Sequence, residues 1–404
     1  GKGYGGGTGT KSFGPENVFT KNSELAFYSR KRFRMIIGIP KEIKSDEYRV
    51  SLTPAGVQDL VACGHTVLVE DGAGEGSGLA NGLYEEQGAQ VTGRGDIFSK
   101  AEMIVKVKEP LPEEVDLLRE GQILYTYLHL APAPELTRAL LDRRIIGIAY
   151  ETVQLPDNSL PLLIPMSEVA GRMSVHEGAK YLERENRGRG ILLGGVPGVD
   201  PGHVVIVGGG VVGANAAKMA IGTGASVTLL DVNLNRLRYL DDLYGGRLKT
   251  LMSNRVNLID SLRTADLVIC AVLIPGARAP KLITRKMLSY MMPGSVIVDV
   301  GIDQGGVMET SRPTTHSEPI YVVDDVVHYC VSNMPGAVAR TSTFALTNAT
   351  FPYALELANK GYRQAFKENQ ELTKGLNVFN GHVTHPAVAE ALNMEWVAPD
   401  KAME

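Results

Sequence analysis

The sequence predicts an α/β fold built as two domains on largely parallel sheets. Three observations carry this. From Met35 onward, short apolar runs alternate with amphipathic stretches. A glycine cluster at 208–213 directly follows the apolar run 204–207. Two long helical patterns, 167–185 and 342–361, bracket the region that contains it.

Each element has its own signal. Residues 36–39 form an apolar run and read as the first strand. Thr53 followed by Pro54 opens a helix that runs to Cys63 and stops at Gly64. Strands are expected at 66–69, 103–107, 123–127 and 145–149, with helical stretches at 113–118 and 134–143 between them. Ser167 is expected to cap the long helix 167–185, with Glu168 in its first turn. The second region carries strands at 204–207, 226–230, 267–271 and 295–300. The helix starting near Ser342 is expected to kink or restart at Pro352. Residues 385–393 read as a further short helix.

Bracketing by two long helices implies a discontinuous arrangement. Residues 35–162 and 341–404 would form one α/β domain, and 163–340 a second domain inserted between them. Residues 1–34 lack hydrophobic periodicity and carry seven basic and two acidic side chains, so they read as a leader or tag.

Composition excludes several classes. Of the 404 residues 44% are hydrophobic and 21% charged, which is ordinary for a folded chain. Lys plus Arg total 41 against 45 Asp plus Glu, so no basic footprint for nucleic acid exists. No apolar run reaches the ~18 residues of a membrane span. The cysteines, Cys63, Cys270 and Cys330, are odd in number and far apart, which excludes a disulfide framework and fits a reducing, cytoplasmic compartment.

The glycine cluster reads Gly208-Gly209-Gly210-Val211-Val212-Gly213, a G-x-G-x-x-G directly after a strand and opening the helical stretch 212–221. Gly208 permits a tight turn, Gly210 lets the backbone approach a pyrophosphate, and Gly213 allows close helix–strand packing. Asp231 ends the next strand 18 residues beyond Gly213, where an acidic residue holds adenosine ribose hydroxyls. The second domain is therefore expected to be a Rossmann dinucleotide-binding domain. A carboxylate at Asp231 favours NAD over NADP, although Arg236 stands near enough in sequence to meet a phosphate.

Ligands of parallel sheets sit beyond the carboxyl ends of the strands. Arg49, Lys108, His129 and Asp303 lie at or near such positions. Each also has a structural reading. Arg49 could be a surface ion-pair partner. Lys106 and Lys108 could be solvated charges at a strand exit, His129 a buried structural histidine, and Asp303 a cap of the Gln304-Gly305-Gly306 turn. His382 and His385 form an H-x-x-H with no carboxylate on the same helix and read as surface or capping residues, so no metal is expected.

Several runs resemble the alanine dehydrogenase family: Gly38-Ile39-Pro40-Lys41-Glu42, Val105-Lys106-Val107-Lys108-Glu109-Pro110, Met166-Ser167-Glu168-Val169-Ala170-Gly171, Ala271-Val272-Leu273-Ile274-Pro275-Gly276, Ile302-Asp303-Gln304-Gly305-Gly306 and Asn333-Met334-Pro335-Gly336. The resemblance runs from Met35 to at least Asn393. It implies reversible NAD-dependent deamination of L-alanine to pyruvate and ammonia by a homohexamer. By position, it implies that Arg49 and Lys108 bind substrate and that His129 and Asp303 form the catalytic pair. The implied cofactor positions are Ser167, Asp231, Arg236, Ser253, Val272, Leu273, Ile302, Asp303, Arg312, Val331, Ser332, Asn333 and Met334, beside the glycine loop with Val211 and Val212. The same family includes the NAD-binding component of a proton-translocating transhydrogenase, which exchanges hydride between nucleotides and works with a membrane partner. Lys108 and His129 together favour the amino-acid enzyme. A lysine-pathway dehydrogenase, with a larger substrate, is a further alternative.

Overall fold

A computed structural model of the chain describes residues 33–272 and 279–404. Residues 1–32, which hold nearly all of the expected leader or tag, lie outside the described residues, as do Leu273 and the rest of 273–278.

The α/β class expected from the sequence is what the chain adopts, as two largely parallel sheets. In the first, β1 (Ile36–Ile39), β2 (Thr66–Glu70), β3 (Gln90–Thr92), β4 (Met103–Val105), β5 (Ile123–Thr126) and β6 (Ile146–Ala149) run parallel. The second holds β7 (His203–Val207), β8 (Ser226–Asp231), β9 (Lys249–Met252), β10 (Leu267–Cys270), β11 (Val296–Asp299), β12 (Ile320–Val323) and β13 (Val326–Tyr329), with only β12 antiparallel to its neighbour. The chain then returns to the first sheet. There β14 (Leu376–Phe379) pairs antiparallel with β6, and β15 (His382–Val383) pairs with β14. These C-terminal strands were not legible in the sequence, because the runs are short and follow helical patterns.

The first sheet has the order β15-β14-β6-β5-β4-β1-β2-β3 and the second β12-β13-β11-β10-β7-β8-β9. Each therefore contains a 3-2-1-4-5 arrangement, reversing direction between β1 and β4 in one and between β7 and β10 in the other. Such reversals leave a crevice at the carboxyl edge of the sheet. Both faces of the strands are buried. Val204 and Ile206 face one apolar cluster while Val205 and Val207 face another, which is why these runs are continuously apolar rather than alternating.

Thr53 caps the helix Pro54–Ala62, its hydroxyl accepting from the Gly56 N–H, and Gly64 follows in the left-handed region as expected. The long helix differs from expectation. It spans Ile164–Tyr181, so Ser167 lies inside it and caps nothing. Pro165 in the first turn sets the start, since its missing N–H costs nothing there. Its Gly171 packs on the helix Val211–Gly222, where an added Cβ would meet the Val212 carbonyl oxygen at 2.3 Å. The second long helix, Ala339–Lys360, does not restart at Pro352. Buried Leu346, Thr350, Ala354 and Leu357 on either side of the proline hold it in one piece, offsetting an interior-proline cost of about 3 kcal/mol. The expected helix 113–118 shortens to Pro112–Val115.

Candidate active site

The loop after β1 brings Arg49 inward rather than to the surface. It is 2% exposed, and its Nε and Nη2 donate to the two carboxylate oxygens of Glu47 at 2.6 and 2.5 Å. Nη2 also donates to Asn333 Oδ1 at 2.8 Å, and Nη1 meets Met166 Sδ at 3.0 Å. Burial opposes the charge on Glu47, but the hydrogen bonds and charge of Arg49 win and hold its carboxyl at about 2. The surface ion-pair reading of Arg49 is thus overturned. Glu47 takes the Nε and Nη2 side of the guanidinium, and Nη1 is directed at the Met166 sulfur.

The β4 exit separates two lysines. Lys106 is fully buried and ion-paired to Glu42 at 3.0 Å and to Glu114 at 2.7 Å. Glu42 Oε1 also accepts from the Val107 N–H at 2.7 Å, fastening the strand end. Burial raises the Glu42 carboxyl above its usual range despite Lys106. Neither lysine is a solvated charge at a strand exit. Lys108, two residues on, has no ion-pair partner within 4 Å among the described residues. Burial, then the charge of Arg49, pulls its ammonium below its usual value, while Asp303 pulls the other way. Lys108 thus feels Arg49 from its own sheet and Asp303 from the other.

The β5 exit presents Tyr127 and His129. The Tyr127 hydroxyl donates to the Leu162 carbonyl at 2.6 Å, and its ring stacks on His129 with centroids 5.7 Å apart. His129 is not a buried structural histidine: its side chain is 45% exposed. It also adopts a positive φ of 48°, unusual for a residue with a Cβ.

In the second sheet, the loop after β7 has the geometry of a phosphate cradle. Gly208 has φ +104°, and a Cβ there would meet the Ala271 carbonyl oxygen at 2.7 Å. A Cβ on Gly213 would sit 1.8 Å from the Gly208 carbonyl oxygen. On Gly210 it would meet nothing within 4 Å, so the protein itself leaves that space open at the helix N-terminus beside Val211 and Val212. Asp231 at the end of β8 accepts from the Gly209 N–H at 2.6 Å and the Asn233 N–H at 2.7 Å, using one oxygen for each. Each oxygen keeps acceptor capacity for a hydroxyl. Arg236 donates through Nε to the Gly209 carbonyl and lies over the Tyr239 ring, so it is tied to the loop. The Ser253 N–H donates to the Asp231 carbonyl oxygen at 2.9 Å. These residues fit a dinucleotide whose ribose carries a free 2′-hydroxyl.

The β11 exit shows which aspartate holds the turn. Asp299, fully buried, accepts from the N–H groups of Gly301 and Val307 and from the Ser311 hydroxyl. Burial raises its carboxyl above the usual range against those bonds. Asp299, not Asp303, is the cap. Asp303 is left exposed on the turn Val300–Gln304, beside buried Ile302. Gly301 lies against the Val272 carbonyl oxygen, so the β7, β10 and β11 exits converge. Arg312 lies over the Tyr321 ring at 4.1 Å, and its N–H donates to that residue's hydroxyl. The 331–334 stretch follows β13. Val331 and Met334 are buried, the Ser332 N–H donates to the Thr314 carbonyl, and Asn333 sits in the left-handed region with its side chain on Arg49 and Glu47.

Arg49, Lys108, His129 and Asp303 are thus brought to the facing carboxyl edges of the two sheets. Ser167 lies in the helix Ile164–Tyr181, next in sequence to the Met166 that touches Arg49. Sequence reasoning missed Glu47, Tyr127 and Asp299. Glu47 stands two residues before Arg49, and that i, i+2 spacing to an arginine was the signal available. His382 is exposed, while His385 is half-buried at the start of the helix Pro386–Leu392 with no capping bond. No group of three or more potential metal ligands is clustered among the described residues. No helix among them is long and apolar enough to cross a membrane.

Two family models match: alanine dehydrogenase/PNT, N-terminal domain, over residues 38–170, and its C-terminal counterpart over 174–386. The chain belongs to the alanine dehydrogenase/PNT family. It is 60% identical over 371 residues to an alanine dehydrogenase of Methanococcus maripaludis, covering 91% of this chain and 100% of that one. Alanine dehydrogenase 2 of Staphylococcus aureus is 58% identical over 371 residues, with 92% of this chain and 100% of that one covered. Among solved structures, an L-alanine dehydrogenase superposes with a TM-score of 0.87 at 54% identity, over 89% of this chain and 99% of the other. A transhydrogenase from Sinorhizobium meliloti gives 0.74 at 27% identity, over 87% and 99%. Both branches of the alanine dehydrogenase/PNT family thus share the fold, and the amino-acid branch is nearer.

Proposed function

We propose that the chain catalyses the reversible NAD-dependent oxidative deamination of L-alanine to pyruvate and ammonia. What supports this reading is that Lys108 feels both Arg49 and Asp303, with His129 at the neighbouring strand exit and a glycine loop fit for a dinucleotide in the second sheet. A module that only exchanged hydride between nucleotides would have no task for an amino-acid carboxylate site. Identity of 58–60% to curated alanine dehydrogenases supports the same conclusion.

The cofactor positions are part of the proposal. Gly208, Gly210 and Gly213, with Val211 and Val212, would cradle the pyrophosphate, and Asp231 would accept from the adenosine ribose. Arg236, Ser253, Val272, Ile302, Arg312 and the 331–334 stretch would line the rest. Leu273 belongs to the same set by resemblance. When bound, NAD supplies the acceptor for the hydride leaving the alanine Cα.

The chain's own residues do the remainder. Arg49 binds the substrate carboxylate. Lys108, electropositive and without an ion-pair partner among the described residues, stabilises negative charge developing on the carbinolamine or carbonyl oxygen. His129 takes and returns the protons that leave the amino group and the attacking water. Asp303 orients that water.

Residues 35–162 with 341–404, and 163–340, are proposed as the substrate and cofactor domains, supported by the return of β14 and β15 to the first sheet. A homohexameric assembly is proposed from the family resemblance, and a cytoplasmic setting from that and the unpaired Cys63, Cys270 and Cys330. A substrate screen tests the central reading. With NAD, L-alanine is expected to yield NADH well above serine or glycine, and pyruvate plus ammonia to consume NADH. Hydride exchange between two nucleotides without any response to alanine would overturn it.

A further inference from the structure

We propose that Glu151 is the positioning residue of the active site, holding His129 in place through its backbone. This rests on the reading of His129 as the acid–base group.

Glu151 lies in the turn Tyr150–Thr152 that follows β6, alongside the β5 exit. Its Oε1 accepts from the His129 N–H at 2.6 Å, and both oxygens accept from the Leu128 N–H at 3.2 Å. Its side chain is 15% exposed. His129 has φ +48°, a conformation that costs a non-glycine residue free energy and persists only where neighbours enforce it. The carboxylate supplies that enforcement, satisfying two successive N–H groups that the turn aims out of the sheet. The imidazole is not the point of attachment, since its Nδ1 lies 4.0 Å from Oε1, beyond hydrogen-bond reach.

The turn that carries Glu151 is itself anchored to the neighbouring strand exit. The Tyr150 hydroxyl donates to the Lys106 carbonyl oxygen at 2.9 Å, and its ring meets Tyr125 and Tyr127 edge-on with centroids 4.4 and 5.0 Å apart. Displacing Glu151 therefore shifts His129 relative to Lys108. Tyr127 and His385 also feel the Glu151 charge. Burial pulls the His385 imidazole below its usual value although the Glu151 charge pulls the other way, and its Nδ1 finds no partner among the described residues.

Glu151→Gln keeps an amide oxygen that can accept both N–H groups, whereas Glu151→Ala leaves both donors unsatisfied. The expected result is a kcat within about threefold of wild type for Glu151→Gln. For Glu151→Ala, kcat falls about 100-fold, with the Kd for NAD unchanged, as a misplaced acid–base group requires. Wild-type kcat in Glu151→Ala overturns the proposal. Parallel loss of kcat and NAD binding overturns it too, because it marks a general structural role. Equal loss in Glu151→Gln and Glu151→Ala overturns the backbone hold in favour of charge. His129→Ala is measured alongside. If it keeps normal deamination, the acid–base reading falls and this proposal with it. If it is inactive while Glu151→Ala is normal, only the Glu151 proposal falls.

Discussion

Asn333 Oδ1 accepts from Arg49 Nη2 at 2.8 Å, joining the segment after the second sheet's β13 to the loop after the first sheet's β1. The Asn333 amide returns a bond to Glu47 at 3.0 Å, so one half-buried side chain closes a ring of three. A guanidinium held this way presents a fixed edge.

Removing that closure should loosen substrate more than fold. A hydrogen bond to a charged group is worth about 1.5–3 kcal/mol. Asn333→Ala is expected to raise the KM for L-alanine roughly tenfold, read from initial rates at saturating NAD. Asn333→Asp places a carboxylate against Glu47 and should be worse than alanine.

Glu47 should give the protein a specific acid sensitivity. Its folded pKa of about 2 lies below the usual 4.5. A depressed carboxyl contributes stability that is fully present above the unfolded value and is lost as pH falls toward the folded one. The shift corresponds to about 3 kcal/mol at neutral pH, lost between about pH 4.5 and 2. Urea midpoints across that window should fall less steeply for Glu47→Gln than for wild type. Parallel slopes would assign the acid limb to other groups.

The two loop glycines separate folding from binding. Gly213→Ala forces a Cβ to within 1.8 Å of the Gly208 carbonyl oxygen and should lower both Tm and NAD affinity. Gly210→Ala meets no protein atom within 4 Å and should leave Tm unchanged. Its NAD affinity is nonetheless expected to fall at least about tenfold, because the pyrophosphate needs that space. Calorimetric titration with NAD checks both variants.

Lys106 should matter for stability. Lys106→Met leaves Glu42 and Glu114 buried together without a cation, and breaking such a group costs about 3–5 kcal/mol. Denaturant titration should show that loss.

Much of this was legible in the sequence. The fingerprint Gly208–Gly213 with Asp231 specified the second sheet's crevice, because backbone clearance and ribose recognition both demand fixed spacings. Arg49, Lys108, His129 and Asp303 could be placed at strand ends, because a parallel sheet sends its functional loops to one edge. Their surroundings could not. Glu47, 2 residues before Arg49, and Glu151, 22 after His129, act through contacts that only the packed loops create. Asp299 and Asp303 lie four apart and look interchangeable in sequence. Burial alone decides that the first caps and the second is free. The cap expected at Ser167 and the restart expected at Pro352 failed for one reason: local propensity is weaker than a proline-set helix start or a buried helix face.

The most direct measurement follows the hydride. With L-alanine deuterated at Cα, every NADH formed is expected to carry the deuterium, with pyruvate released in equal amount. NADH without label, or label passing only between two nicotinamide nucleotides, would contradict it.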